Sequence, residues 1–104
     1  MNDADRKYLT EWGGECWHDA ENDETCSKCG KSFRGYYFES VNRTFDTWED
    51  FGWLWENFCR KYYGRFICWI CGKRHIAWID WEYKSPAERC QLICDFLREQ
   101  EGKG

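Results

Sequence analysis

The sequence predicts an α+β fold, a small antiparallel sheet with two helices, on three observations. Residues 26–31 and 68–73 share the form Cys-x-x-Cys-Gly-Lys. Short runs rich in β-branched and aromatic residues follow or flank these segments, as strands would. Two other stretches repeat apolar residues at helical spacing behind recognisable N-terminal caps.

Taken in order, residues 1–10 read as a polar arm and residues 11–102 as a single domain. Asp19-Ala20-Glu21-Asn22-Asp23-Glu24 reads as a solvated acidic loop. Phe33-Arg34-Gly35-Tyr36-Tyr37-Phe38 follows a Cys-Gly-Lys turn and is rich in strand formers, which predicts a short strand. Thr47 with Asp50 resembles a capping box, and Trp48, Phe51, Trp55, Phe58 and Tyr62 then recur on one helical stripe. Only Trp53, off that stripe, is a candidate exposed contact on this helix. Gly64 is the expected stop.

Residues 65–70 and 75–81 read as two strands joined by a hairpin turn at Cys71-Gly72-Lys73-Arg74. Ala77, Ile79 and Trp81 would share one face of the second strand, with Ile76 and Trp78 on the other. Apolar residues on both faces predict a strand covered on both sides. The last helix has the best local signature: Ser85 as N-cap, Pro86 in the first turn and Glu88 closing a capping box. Cys90, Ile93, Cys94 and Leu97 follow as a core-facing stripe, and Gly102 ends the helix.

The chain has 104 residues, enough for one domain. Eight Trp, seven Phe and six Tyr are more rings than a domain of this size can bury, so some must lie at the surface. Clustered there, they would mark a contact patch. A net charge of −4 argues against a protein held to nucleic acid mainly by phosphate neutralisation. The charged N-terminus and the lack of a long apolar run predict a cytoplasmic protein without a membrane span.

In a reducing compartment, eight cysteines are expected as thiols, core residues or metal ligands. The paired spacing points to zinc. A turn between two cysteines aims both sulfurs inward, and the Gly that follows allows the left-handed conformation that closes the turn. This places a zinc-knuckle loop near the N-terminus. A redox pair at a helix N-terminus is the chemical rival, but both pairs here run into expected turns and strands. The ligand set is open between two arrangements. Cys26, Cys29, Cys68 and Cys71 would form one ribbon-like site. Alternatively, Cys16, His18, Cys26 and Cys29 would close a local first site, leaving Cys68 and Cys71 to pair with His75 and Cys59 in a second. Cys59, Cys90 and Cys94 also fit simple core positions.

The series Leu9-Thr10-Glu11-Trp12, Gly14-Glu15-Cys16-Trp17-His18 and Cys26-x-x-Cys29-Gly30-Lys31 resembles a group of short uncharacterised phage and prophage proteins with a sandwich-type domain. Residues 42–52 (Asn42-Arg43-Thr44-Phe45-Asp46-Thr47-Trp48-Glu49-Asp50-Phe51-Gly52) and the segments from Trp78 to Leu97 carry the same resemblance, which spans residues 9–99. It implies an origin and no activity. It also implies that Cys16, His18, Cys26 and Cys29 act together, with the second knuckle a departure from the group.

The expected function is therefore a non-enzymatic, zinc-stabilised module that binds a host or phage protein. A zinc-ribbon-like nucleic-acid binder is the alternative, because Arg34, Tyr36 and Tyr37, and then Arg60, Lys61, Tyr62, Tyr63 and Arg65, interleave basic and aromatic residues. No catalytic residue and no small-molecule substrate is indicated, since neither a His-Glu-x-x-His nor a His-x-Glu element is present.

Overall fold

The Thr47 hydroxyl accepts the Asp50 backbone N–H at 3.1 Å and so starts helix α2, Trp48–Cys68. The computed structural model describes residues 1–18 and 42–102. The chain divides into two units, Asn2–Thr44 and Phe45–Gly104 with Met1.

In the first unit, α1 spans Asp3–Trp12, and the Asn2 side chain caps it by accepting from Asp5 N at 2.8 Å. Asp3 and Asp5 place negative charge on the positive end of the helix dipole. Gly14, at φ 90°, ends the helix in a Schellman closure: Glu15 N donates to Thr10 O and Gly14 N to Glu11 O, both at 3.0 Å. Beyond it, the buried Asn42 side chain pairs with both backbone groups of His18, and Arg43 grips the Glu15 carboxylate at 2.7 and 3.0 Å.

In the second unit, α2 runs for 21 residues and continues without a break into a π-helical turn, π1, Trp69–Lys73. A short helix α3, Trp78–Glu82, then leads to α4, Pro86–Leu97, and a second π turn, π2, Arg98–Gly102. The start of α4 agrees with its local signature, with Ser85 and Glu88 forming the reciprocal capping box and Pro86 in the first turn. Its stripe of Cys90, Ile93, Cys94 and Leu97 is fully buried.

The core of this unit is aromatic. Phe51, Phe58, Tyr62 and Phe66 recur on the buried side of α2 with Leu54. Phe96 of α4 inserts edge-on among them, its ring centroid 5.6 Å from Phe58, 5.5 Å from Phe66 and 5.5 Å from Trp69. Trp81 of α3 closes over Phe66 at 5.2 Å. Edge-to-face pairs of this kind add about 0.5–1.5 kcal/mol each beyond the area they bury.

The expected α+β class is corrected: among the described residues there is no strand, and every regular element is helical. Residues 65–70, expected as a strand, complete α2 and enter π1, because Phe66, Trp69 and Ile70 continue the buried stripe. Gly64 does not stop the helix. A mid-helix Gly costs only about 1 kcal/mol relative to Ala, less than the packing of the rings on either side of it contributes. The expected strand at 75–81 is a loop followed by α3. The expected strand at 33–38 and the acidic loop at 19–24 lie outside the described residues.

The hairpin turn at 71–74 is likewise replaced by a helix end. Arg74 N donates to Trp69 O at 3.0 Å and Ile76 N to Ile70 O at 2.9 Å, a Schellman-type closure lengthened by the extra residue of the π turn. The residue in the left-handed region is His75, at φ 56°, and not Gly72.

Candidate interaction face

Among the described residues, the cysteines that the sequence suggested as ligands form no metal-binding group. Cys16 is half-buried, its thiol donating to Trp17 O at 3.6 Å, and His18 is held through its backbone by Asn42. Cys26 and Cys29, and with them the knuckle loop, lie outside the described residues. Cys59 sits half-buried in mid α2, Cys68 is exposed at the end of α2, Cys71 is exposed in π1, and His75 is exposed beyond it. Among the described residues, no group of three or more His, Cys, Asp or Glu side chains can hold a metal ion.

The expected zinc cofactor, and with it both the zinc-binding-module and the zinc-ribbon readings, is corrected on that finding. A knuckle needs a tight turn closed by a left-handed Gly, whereas Cys68 and Cys71 occupy successive turns of a helix. The second set of Cys59, Cys68, Cys71 and His75 is not brought together as a coordination shell. Of the ribbon set, Cys68 and Cys71 lie on helix, and no sheet is present among the described residues.

The basic and aromatic run on α2 is not a stacking surface. Tyr62 is buried and its hydroxyl donates to Glu101 Oε2 at 2.7 Å. Lys61 lies over the Tyr62 ring and 4.0 Å from the same carboxylate, and Arg60 pairs with Glu56. Tyr63 is exposed but meets the Trp55 ring edge-on at 6.1 Å, and Arg65 is exposed without an ion pair among the described residues. Acidic side chains break the strip that a nucleic-acid backbone would need.

Two clusters hold the ends of this unit. At the C-terminal ends of α2 and α4, Glu99 accepts from Trp69 Nε1 at 3.0 Å and from Lys73 Nζ, while Arg74 reaches Asp95 at 3.1 Å and lies over the Trp69 ring. The hydrogen bond from Lys73, ahead of that from Trp69, draws the Glu99 carboxyl below its ordinary 4.5. At the N-terminal ends, the Arg89 guanidinium sits 4.9 Å from the ring centroid of Trp48 and 5.2 Å from those of Phe51 and Trp81. It also donates to the carbonyls of Lys84 and Glu82, at 3.1 and 2.6 Å.

The surface aromatics are not where the sequence placed them. Trp53 is half-buried beside Phe45, whereas Trp48, counted on the core stripe, is 57% exposed. Among the described residues, the most exposed large apolar ones are Ile79, at 62%, and Tyr83, at 84%. At about 100° per residue these two, four apart, share the outer side of α3, opposite Trp81, which is 2% exposed. Asp80 and Glu82 flank the pair on either side, both exposed, and neither forms an ion pair among the described residues. A strand over 75–81 places Ile79 and Trp81 on one face; the helix places them on opposite ones.

No family model, curated protein or solved structure matches this chain. Among the described residues, no helix is long and apolar enough to cross a membrane.

Proposed function

We propose that this chain is a non-enzymatic helical module that binds a protein partner on the outer side of α3. The observation that carries the reading is the Ile79–Tyr83 pair, an apolar ridge turned away from the core and bordered by Asp80 and Glu82. Isolated exposed apolar residues are ordinary. Here two of them adjoin on one helical turn, anchored from behind by Trp81, whose ring stacks on Trp78 at 5.9 Å and meets Trp55 at 5.5 Å. A rigid backing fixes the ridge before binding, which lowers the ordering cost of docking.

The acidic border selects for a partner segment that presents an apolar pocket with Lys or Arg beside it. The resemblance to phage and prophage proteins supports a host or phage protein as the source, and the cytoplasm as the place where the two meet.

A comparative capture experiment tests this. Immobilised wild type and an Ile79→Asp/Tyr83→Asp variant would be exposed to the same lysate, with Arg60→Ala as a control for a remote surface change. A protein retained by wild type and by Arg60→Ala, but lost with the double variant at unchanged helical content, is the expected result. Identical retention by all three would refute the assignment of this face.

A further inference from the structure

The two thiols that the helix leaves exposed stand three residues apart. Cys68 is the last residue of α2, and Cys71 lies one turn further on in π1. We propose that Cys68 and Cys71 form a redox-active dithiol, a modification site that closes to a disulfide by exchange with a low-molecular-weight disulfide such as glutathione disulfide. This inference is independent of the binding reading above.

Geometry supports the closure. Residues three apart on a helix hold their Cβ atoms about 5–6 Å apart, and a disulfide needs about 3.5–4.5 Å, so the turn must tighten by roughly 1–2 Å. Trp69–Lys73 is a π-helical turn, wider than an α turn, so closing the disulfide also draws this turn in toward α geometry. Gly72 beside Cys71 faces open space, since a Cβ there would meet nothing within 4 Å. Helical φ and ψ on both sides keep the two sulfurs on neighbouring positions of one exposed face, so the second thiol is held near the first throughout.

Other thiols of the same unit are protected. Burial pushes the Cys59 thiol up, and burial, followed by Asp50, Asp46 and Cys94, pushes that of Cys90 up to about 12. Thiol exchange proceeds through the thiolate, so Cys90 in particular stays inert at neutral pH.

The chemistry balances without a further reagent. One thiolate attacks glutathione disulfide, forming a mixed disulfide and releasing one glutathione. The second thiolate then attacks the protein sulfur of that mixed disulfide and expels the second glutathione. The dithiol is oxidised by two electrons, and one glutathione disulfide becomes two molecules of glutathione.

The full chain would be equilibrated in glutathione redox buffers, quenched with acid, alkylated and digested with trypsin. Cleavage after Arg65 and Lys73 isolates residues 66–73, a peptide with Cys68 and Cys71 as its two cysteines. The expected product is this peptide, unalkylated and lighter by two hydrogens, while Cys90 is still alkylated as a thiol after unfolding. In Cys71→Ser the reaction should stop at a glutathione adduct on Cys68. Glutathione adducts alone in the wild type, a cross-link from this peptide to another cysteine, or a fully reduced peptide in the most oxidising buffer would each overturn the proposal.

Discussion

Trp69 donates its indole N–H to the Glu99 carboxylate at 3.0 Å, joining the two π turns that end α2 and α4. Lys73 donates to the other carboxylate oxygen, and together they hold the Glu99 carboxyl below its ordinary 4.5. A carboxyl held lower in the folded than in the unfolded chain stabilises the fold above its unfolded value. That contribution is lost as pH falls through the folded value. Resistance of the wild type to urea should therefore fall below pH 4.5, and that of Glu99→Gln should fall less over the same range. Glu88, also drawn down by its capping bonds to Ser85, keeps part of the slope in the variant.

Phe66 is the ring on which the second unit converges, touching Trp55, Phe58, Trp69, Trp81 and Phe96. Phe66→Ala removes all five contacts and opens a cavity, at a cost of about 3–5 kcal/mol. Domains of this size have about 5–15 kcal/mol in total, so the midpoint of chemical unfolding should fall sharply. A shift worth less than 1 kcal/mol would mean that the ring is not buried as described.

Arg89 should not tolerate Lys. Its planar group meets three rings while donating to two carbonyls, a combination that an ammonium cannot reproduce. Arg89→Lys is expected to destabilise by about 1–2 kcal/mol, mainly through lost stacking and a carbonyl left without its donor. Thermal unfolding of the pair of proteins measures it.

His75 adopts φ 56° at an exposed position where helices usually place Gly. The left-handed conformation costs a side-chain-bearing residue about 1–2 kcal/mol, part of which Gly returns through its more flexible unfolded state. His75→Gly should stabilise by about 0.5–1 kcal/mol in equilibrium unfolding.

What the sequence made legible was local. Ser85, Pro86 and Glu88 mark the start of α4 because capping chemistry acts over four residues, and Thr47 marks α2 for the same reason. The rest depended on a choice of period. Phe66-Ile67-Cys68-Trp69-Ile70 is short and apolar, and strand propensity alone favours β. Its membership of the stripe from Phe51 through Phe58 and Tyr62 is the signal that it continues α2, a signal masked by the helix-breaking propensity of Gly64.

The same choice decided the site. Cys-x-x-Cys spacing is one turn of a knuckle and also one turn of a helix, so the motif could not tell one from the other. Once residues 78–82 are helical, Ile79 and Trp81 face opposite ways, and the ridge with Tyr83 becomes visible. In a strand, Ile79 and Tyr83 would share their face with Trp81, and no ridge would stand apart from the core.

Residues 48–73 and 78–82 are helical, with no metal-binding group among the described residues to hold them so. Backbone NMR chemical shifts of these segments, recorded before and after treatment with a zinc chelator, test this most directly. Unbroken helical shifts from Trp48 through Lys73, resuming at Trp78 and unchanged by the chelator, are predicted. Extended shifts over 65–70 and 75–81, or loss of the helical shifts on chelation, would contradict it.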